Sequence, residues 1–488
     1  MKKLMNRSLA AFLALLLLLE LAGCGTGIKS ADFITEKNLM ENASMKDDGA
    51  NNISNGKWSG SKNSFLEISF PQEVTLNTVV LREKGSHIRA FQIQIPSGDG
   101  YETIYQNDKV DAYRYCAFPE VTTSSLRLVV TDGADFTLEG IEAYRITGSK
   151  PDHFRVTSYV VTDSIYDRAA ISEKHFDVIT DVILFGSLSF DKDGNLSFQD
   201  KEIGGKQIGG QKVFETALRN IREAIGERDV HLYVNLLGPD APSDIEDWNE
   251  SMYAKADLHK SAMTGDNGKK LIRSITELLE KYGLDGVFFD WEYPLRKKDW
   301  EVFDQFILSL DGALGEKKLG IAVQSWALKA SKEAIEKIDL AEVMTYDMFD
   351  EDGYHAPFYP CAVTEINALL KKGFQKEQLD FGVPFYARPT DRAAQWFDYQ
   401  TEAEKLGWSG NVATGPQQVT EWQGSTPVQV TATSPRYYNG CQMIYDKTAY
   451  AMDFGLGGMM VWNYAGDLPY ENPLSLFRAM ETAISQRS

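Results

Sequence analysis

The chain has 488 residues, 43% of them hydrophobic and 25% charged, with a formal net charge of −20. That length exceeds the usual single-domain size, so at least two domains are expected, and the composition is that of globular protein. The acidity argues against nucleic acid as a partner, because phosphate binding needs a basic surface; otherwise it favours solubility.

Lys2, Lys3 and Arg7 precede a short apolar run through Leu19, and Leu21-Ala22-Gly23-Cys24 follows. A basic start and a short apolar core describe a secretory signal, too brief for a comfortable membrane span. The LAGC ending resembles the bacterial lipoprotein cleavage box. That resemblance implies a signal peptide over residues 1–23 and lipidation of Cys24. The mature protein would then sit at the bacterial cell surface, anchored to the membrane rather than spanning it. Setting Cys24 aside leaves Cys116, Cys361 and Cys441, an odd number that makes no disulfide framework, with a bridge between Cys361 and Cys441 one open pairing. Neither the cysteines nor the six histidines fall at metal-ligand spacing.

Residues 35–146 are rich in alternating segments. Stretches 65–70, 76–81, 90–95 and 125–130 read as strands, separated by Gly, Asn and Asp turns and without helical periodicity. An all-β antiparallel sandwich is expected. The order of Trp58, the strand ending at Phe70, the run 77–83, IRAF at 88–91, LRL at 126–128 and LEGIEAY at 138–144 carries a resemblance. It is to discoidin-type jelly-roll modules of the coagulation-factor C-domain kind, which include carbohydrate-binding module family 32. The resemblance implies a glycan-binding module, with Trp58 and Tyr101 as sugar-stacking candidates where they lie on exposed loops. A structural spacer is the alternative. TGSKPD, residues 147–152, is polar and contains Gly and Pro, so it reads as a linker.

From residue 153 to 488 apolar strands alternate with helical segments, the pattern of a parallel α/β architecture. Strand candidates lie at 155–159, 178–185, 230–234, 284–294, 319–323, 340–344, 379–384 and 458–462. Eight strands with helices between them in about 330 residues predict a (β/α)8 TIM barrel. Leu271, Ile272, Ile275, Leu278 and Leu279 share one helical face, and Gly283 stands where a C-terminal cap is wanted. That helix feeds the fourth strand, LDGVFFDWEYP.

Side chains alternate along a strand, so Phe288, Asp290 and Glu292 share one face while Val287, Phe289 and Trp291 share the other. Two acids late on an otherwise buried strand are costly unless solvated, paired or used. In TIM barrels the chemistry sits at the C-terminal strand ends. The wording resembles the DGxDxDxE signature of glycoside hydrolase family 18, the chitinases and related endo-β-N-acetylglucosaminidases, in Asp285, Gly286, Asp290, Glu292, Tyr293 and Pro294. Met344-Thr345-Tyr346-Asp347 on strand six resembles the family's Met-x-Tyr-Asp. Gly382-Val383-Pro384-Phe385-Tyr386 on strand seven is similar to its Gly-x-Pro-x-Tyr. Trp462 ends strand eight where the family places a Trp floor under the sugar, and Tyr159 on strand one matches a pocket aromatic. Two positions depart: Phe288 replaces the first strand carboxylate, and Asn235-Leu236-Leu237-Gly238 stands in place of Ser-x-Gly-Gly. The connection from Arg388 to Tyr438 also resembles the shorter bacterial members, implying a shallow groove.

The resemblance implies a glycosidase cleaving β-linked N-acetylglucosamine-containing oligo- or polysaccharides with retention, in the substrate-assisted manner of this family. Glu292 would be the general acid/base, and the substrate's acetamido oxygen the nucleophile. Asp290 would orient the amide, Tyr346 would steady it, and Asp347 would bind the sugar, with Met344, Tyr386, Tyr159 and Trp462 lining the site. No metal, nucleotide or organic cofactor is called for, and no Gly-rich phosphate loop is evident. The alternatives are an endo-β-N-acetylglucosaminidase acting on N-glycans or peptidoglycan, and a catalytically weak chitinase-like lectin. Glu292, which such lectins typically lose, favours an enzyme.

Overall fold

Eight short apolar segments pair in parallel and close on themselves. In chain order the strands are Arg155–Val161, Asp181–Phe185, His231–Leu236, Gly286–Phe289, Lys318–Val323, Leu340–Val343, Leu379–Pro384 and Gly458–Trp462. Each pairs with its sequence neighbour in this series, and the eighth pairs with the first. The computed structural model describes residues 34–49, 53–147, 151–245, 247–388, 396–423 and 426–487. The signal segment and Cys24 lie outside them. Glu36–Ser488 forms one compact unit.

All eight expected barrel strands are present. The second begins at Asp181 rather than at 178, because Val178 closes a 3-10 turn over Glu173–Asp177. The helix before strand four runs Gly265–Tyr282, with Leu271, Ile275, Leu278 and Leu279 buried. Gly283 ends it at φ 57°, ψ 48°, a conformation glycine adopts without a Cβ penalty. The Leu284 N–H then returns to the Leu279 carbonyl at 2.9 Å, which turns the chain into strand four.

Strand register decides what strand four carries inward. Phe288 pairs with Asn235 on one side and Gly320 on the other. Its ring meets Tyr233 edge-on at 5.2 Å, and a Cβ on Gly320 would lie 2.1 Å from it. The bulk of Phe288, fully buried in the barrel, is thus accommodated by a missing side chain next door. On the other face Phe289 packs on Phe303 and Phe306, and Trp291 stacks on His259 at 4.3 Å and 11°. The alternation read from the sequence holds.

The connection between strands seven and eight, which resembles the shorter bacterial members in sequence, includes a hairpin of two twelve-residue strands, Val412–Gln423 and Thr426–Tyr437. Cys116, Cys361 and Cys441 are free buried thiols, so the open Cys361–Cys441 pairing is not made.

Before the barrel lies an antiparallel sheet of eight strands. Of its two long members, Phe65–Glu83 joins the stretches 65–70 and 76–81 that read separately in the sequence, and Arg114–Gly133 extends 125–130 back to Arg114; register shifts bend the pair. Trp58 is 1% exposed and packs edge-on against Phe136 at 4.9 Å, so it is core and not a sugar platform. Tyr101 is exposed, with its hydroxyl donating to Glu67 at 2.9 Å and the Arg127 guanidinium 4.6 Å from its ring centre.

This sheet and the barrel belong to the same compact unit. Asp446, on the helix Cys441–Phe454, is fully buried between them. It accepts from the Tyr105 hydroxyl at 2.7 Å, Arg114 Nη2 at 3.1 Å and the Ala117 N–H at 3.1 Å. Tyr115 donates to Asp453 at 2.5 Å, and Arg487 Nη2 to the Asn77 carbonyl and the Thr78 hydroxyl, both at 2.9 Å.

The Phe288–Gly320 fit is testable. Gly320→Ala should cost about 1–3 kcal/mol by overpacking, and less in a Phe288→Leu background. Denaturant melts of the four proteins in that cycle measure the coupling; strictly additive effects would contradict the fit.

Candidate active site

Beyond Phe289 the strand-four chain runs out at the barrel mouth, and its inward face passes from apolar to acidic. Asp290 is half-buried with Oδ1 enclosed and without a hydrogen bond among the described residues, whereas Glu292 is exposed. Burial first, and the Glu292 charge second, push the Asp290 carboxyl up to about 7; Lys255 works the other way. A group held near neutrality at the end of a barrel strand can change its protonation during a reaction.

Around this pair stand the other expected residues. Tyr346 is 8% exposed, and burial followed by the nearby Asp290 and Glu292 charges pushes its phenol well up, so it stays a neutral donor. Tyr159 is buried, its ring 5.3 Å from that of Trp462, and Phe185 meets Trp462 edge-on at 4.8 Å. The Tyr159 hydroxyl is enclosed and unpaired among the described residues. Met344 is buried, and its carbonyl accepts from Gln324 Nε2 at 2.9 Å; its contribution here is packing and position.

Asp347 is the most constrained of the set. Its backbone lies at φ 57°, which Asp tolerates better than most residues. Tyr386 donates to its Oδ1 at 2.8 Å, His355 Nε2 lies 3.1 Å from the same oxygen, and Arg388 bonds its Oδ2. Burial alone would raise this carboxyl, but His355, Arg388 and Tyr386 together hold it below the ordinary carboxylate value. It is therefore a fixed anion near Asp290, whose carboxyl burial pushes up to about 7.

The sequence reading missed several neighbours. Gln324 joins Tyr293, whose hydroxyl donates to its Oε1 at 3.3 Å, to Trp326, whose Nε1 donates at 2.7 Å. Trp326 is 42% exposed and meets Tyr293 edge-on at 4.8 Å. Trp396, 49% exposed, stacks on Tyr386 at 4.7 Å and 9°, with Arg388 5.0 Å from its ring centre. Two exposed indoles thus flank the acidic centre, one against Tyr293 and one against Tyr386. Trp326 follows a barrel strand by three residues, a position where a lone Trp is a usable signal. Asn235 lies fully buried beside Phe288, and neither of its amide atoms has a partner among the described residues. Among those residues no cluster could hold a metal ion.

A closed parallel barrel with paired acids at the end of strand four and an aromatic floor defines a class, the barrel glycosidases. The model of glycosyl hydrolases family 18 matches residues 155–467, and the chain belongs to that family. It is 28% identical over 246 residues to "Probable chitinase 2" of Drosophila melanogaster, covering 41% of this chain and 50% of that one. It is also 28% identical over 273 residues to "Chitinase A1" of Niallia circulans, covering 42% of this chain and 38% of that one. The matched segments span half or less of these curated relatives. The fold is similar to that of the GH18 chitinase ChiB from the chitin utilization locus of Flavobacterium johnsoniae, with TM-score 0.51 and 21% identity, covering 69% of this chain and 94% of that one.

Asp290 offers a sign test. Its folded value of about 7 lies above the ordinary 3.8, so the folded state loses stability as pH rises from about 4 to about 7. Asp290→Asn should accordingly melt higher than wild type at pH 8, with the advantage closing as pH falls toward 4. Melting curves at pH 4, 6 and 8 decide it; an advantage independent of pH would contradict the assigned burial.

Proposed function

We propose that the protein is a chitinase-type glycosidase cleaving β-linked N-acetylglucosamine-containing glycans, with Glu292 as general acid/base and the substrate's acetamido group as nucleophile. The observation that carries it is the pairing of exposed Glu292 with half-buried Asp290 at the end of strand four, close enough for both charges to act on Tyr346 and on Tyr159, which packs on Trp462. Glu292 faces solvent, where a leaving-group oxygen can reach it. Asp290 offers an enclosed oxygen with no hydrogen-bond partner among the described residues, the acceptor an amide N–H needs. An internal nucleophile carries an effective molarity on the order of 10⁵ to 10⁸ M, so the protein need supply only position and protons. Trp326 and Trp396 offer exposed rings for sugar units on either side of the scissile bond.

The strand-rich region before the barrel fits the discoidin-type reading in being antiparallel, and Tyr101 is its remaining exposed aromatic candidate for a glycan. We also propose that Cys24 carries the lipid that holds the protein at a bacterial cell surface. Among the described residues no helix is long and apolar enough to cross a membrane, which is compatible with attachment by lipid.

Glu292→Gln should lower hydrolysis of an N-acetylglucosamine reporter by about 10²- to 10⁴-fold with an unchanged melting temperature. Early-time NMR on wild type should show β-configured product; inverted product would rule out the acetamido mechanism. Cys24→Ala should abolish incorporation of labelled fatty acid and release the protein from the membrane fraction, and persistence in that fraction would refute the anchor.

A further inference from the structure

The turn that follows Asp347 is gripped by the sheet in front of the barrel. Asp350 organises the turn from within: its Oδ1 accepts from the N–H groups of Asp352 and Tyr354, both at 2.9 Å. The Asp350 N–H reaches the Tyr354 carbonyl at 3.2 Å, and Phe349 bridges to His355. The same His355 places its Nε2 3.0 Å from the Asp347 N–H and 3.1 Å from Asp347 Oδ1. Residues 347–355 therefore form one closed turn with the sugar-binding candidate at its root.

Lys109, between the sheet strands Gly100–Asn107 and Arg114–Gly133, reaches the far side of that turn. Its side chain is 8% exposed, and Nζ lies 2.6 Å from Asp350 Oδ2 and 2.8 Å from Asp352 Oδ2. The ammonium also stands 5.5 Å from the centre of the Tyr354 ring. Burial favours losing its proton, but the two carboxylates more than offset that and keep it charged. Among the described residues the other cation on the turn is Arg89, 3.1 Å from Asp352 Oδ1 and well exposed, so it is screened by solvent. Without Lys109, Asp350 and Asp352 would be left as neighbouring like charges, with the exposed Arg89 on Asp352 as the remaining cation among the described residues.

We propose that Lys109 is a positioning residue for the sugar site: it locks the 347–355 turn, and through His355 the Asp347 carboxylate, so the sheet region helps to set substrate affinity. This rests on the reading that Asp347 binds the sugar. It makes the sheet a brace of the catalytic site, a role separate from any glycan it binds itself.

The experiment compares Lys109→Met, Lys109→Arg and wild type in the full chain, by steady-state kinetics on an N-acetylglucosamine oligosaccharide and by hydrogen exchange. Lys109→Met keeps most of the apolar stem and removes the charge. It should raise KM about tenfold, within the roughly hundredfold that a small misplacement can cost, and leave kcat within about twofold. Amide exchange over 349–355 should speed up. Lys109→Arg should restore most of both. Unchanged KM, or a loss confined to kcat, overturns the proposal. If Lys109→Met does not fold, Asp352→Asn serves: it leaves the Lys109–Asp350 pair and should raise KM about two- to threefold. An unchanged KM in that variant is equally fatal. Should wild type neither bind nor cleave the oligosaccharide, the reading of Asp347 fails; exchange over 349–355 then still tests the lock, and equal rates in Lys109→Met and wild type would overturn it.

Discussion

A carboxylate enclosed in a closed parallel barrel needs partners or must give up its charge, and the interior of this barrel is arranged around that constraint. Near the N-terminal strand ends, Arg155 Nη2 lies 2.6 Å from Asp380 Oδ1, the Thr157 hydroxyl 2.9 Å from Asp380 Oδ2, and the Tyr233 hydroxyl 3.0 Å from Asp181. At the mouth, Asp347 is held by three side chains. Asp290 Oδ1 and both Glu342 carboxyl oxygens are among those left enclosed with no hydrogen bond among the described residues. Glu342 is completely buried, and burial followed by the Asp380 charge holds it well above the ordinary carboxylate range, so it sits as a neutral acid. Asp290 differs in being only half-buried, next to Glu292 and open to whatever enters the mouth. Position along the strand separates an acid sealed in the barrel from one at its mouth.

The same constraint explains how the sheet is joined to the barrel. Asp446 is enclosed at the junction with partners contributed by the sheet, and burial pushes its carboxyl up to about 6 even with Arg114 beside it. Removing one partner from such a pair leaves an uncompensated buried charge, a loss on the order of 3–5 kcal/mol. The sheet is therefore integral to the catalytic unit in the way a tethered module on a flexible linker would not be.

Much of this was legible in the residues. Barrel strands are short, apolar and bounded by turn residues, so all eight could be placed, and the period-two alternation correctly sent Phe288 into the barrel and Phe289 and Trp291 to the other face. The sheet region read less well. Phe65–Glu83 contains Pro71, and two strand stretches looked separate because nothing local reveals a register shift. Trp58 could be core or platform from its neighbours alone, and only packing against Phe136 decides it. The turn at 347–355 and its lock by Lys109 were invisible for a different reason: their pairing spans 241 residues, and long-range ion pairs leave no periodic trace. Gly320 had a meaning only once Phe288 was seen facing it.

The junction also imposes an order on the making of the molecule. Tyr105 and Asp446 are separated by 341 positions, and Arg487 reaches back to Asn77 across 410. A chain is synthesised from its N-terminus, so the sheet leaves the ribosome long before the helix Cys441–Phe454 exists. Until then Arg114 has no Asp446 to meet, and the surface that will be buried stays wet. The sheet can take its own shape early, but its junction with the barrel can be completed only after the helix Cys441–Phe454 has been made. A nascent chain stalled before residue 440 would thus carry strand four and both acids, yet lack the helix that holds sheet and barrel in register.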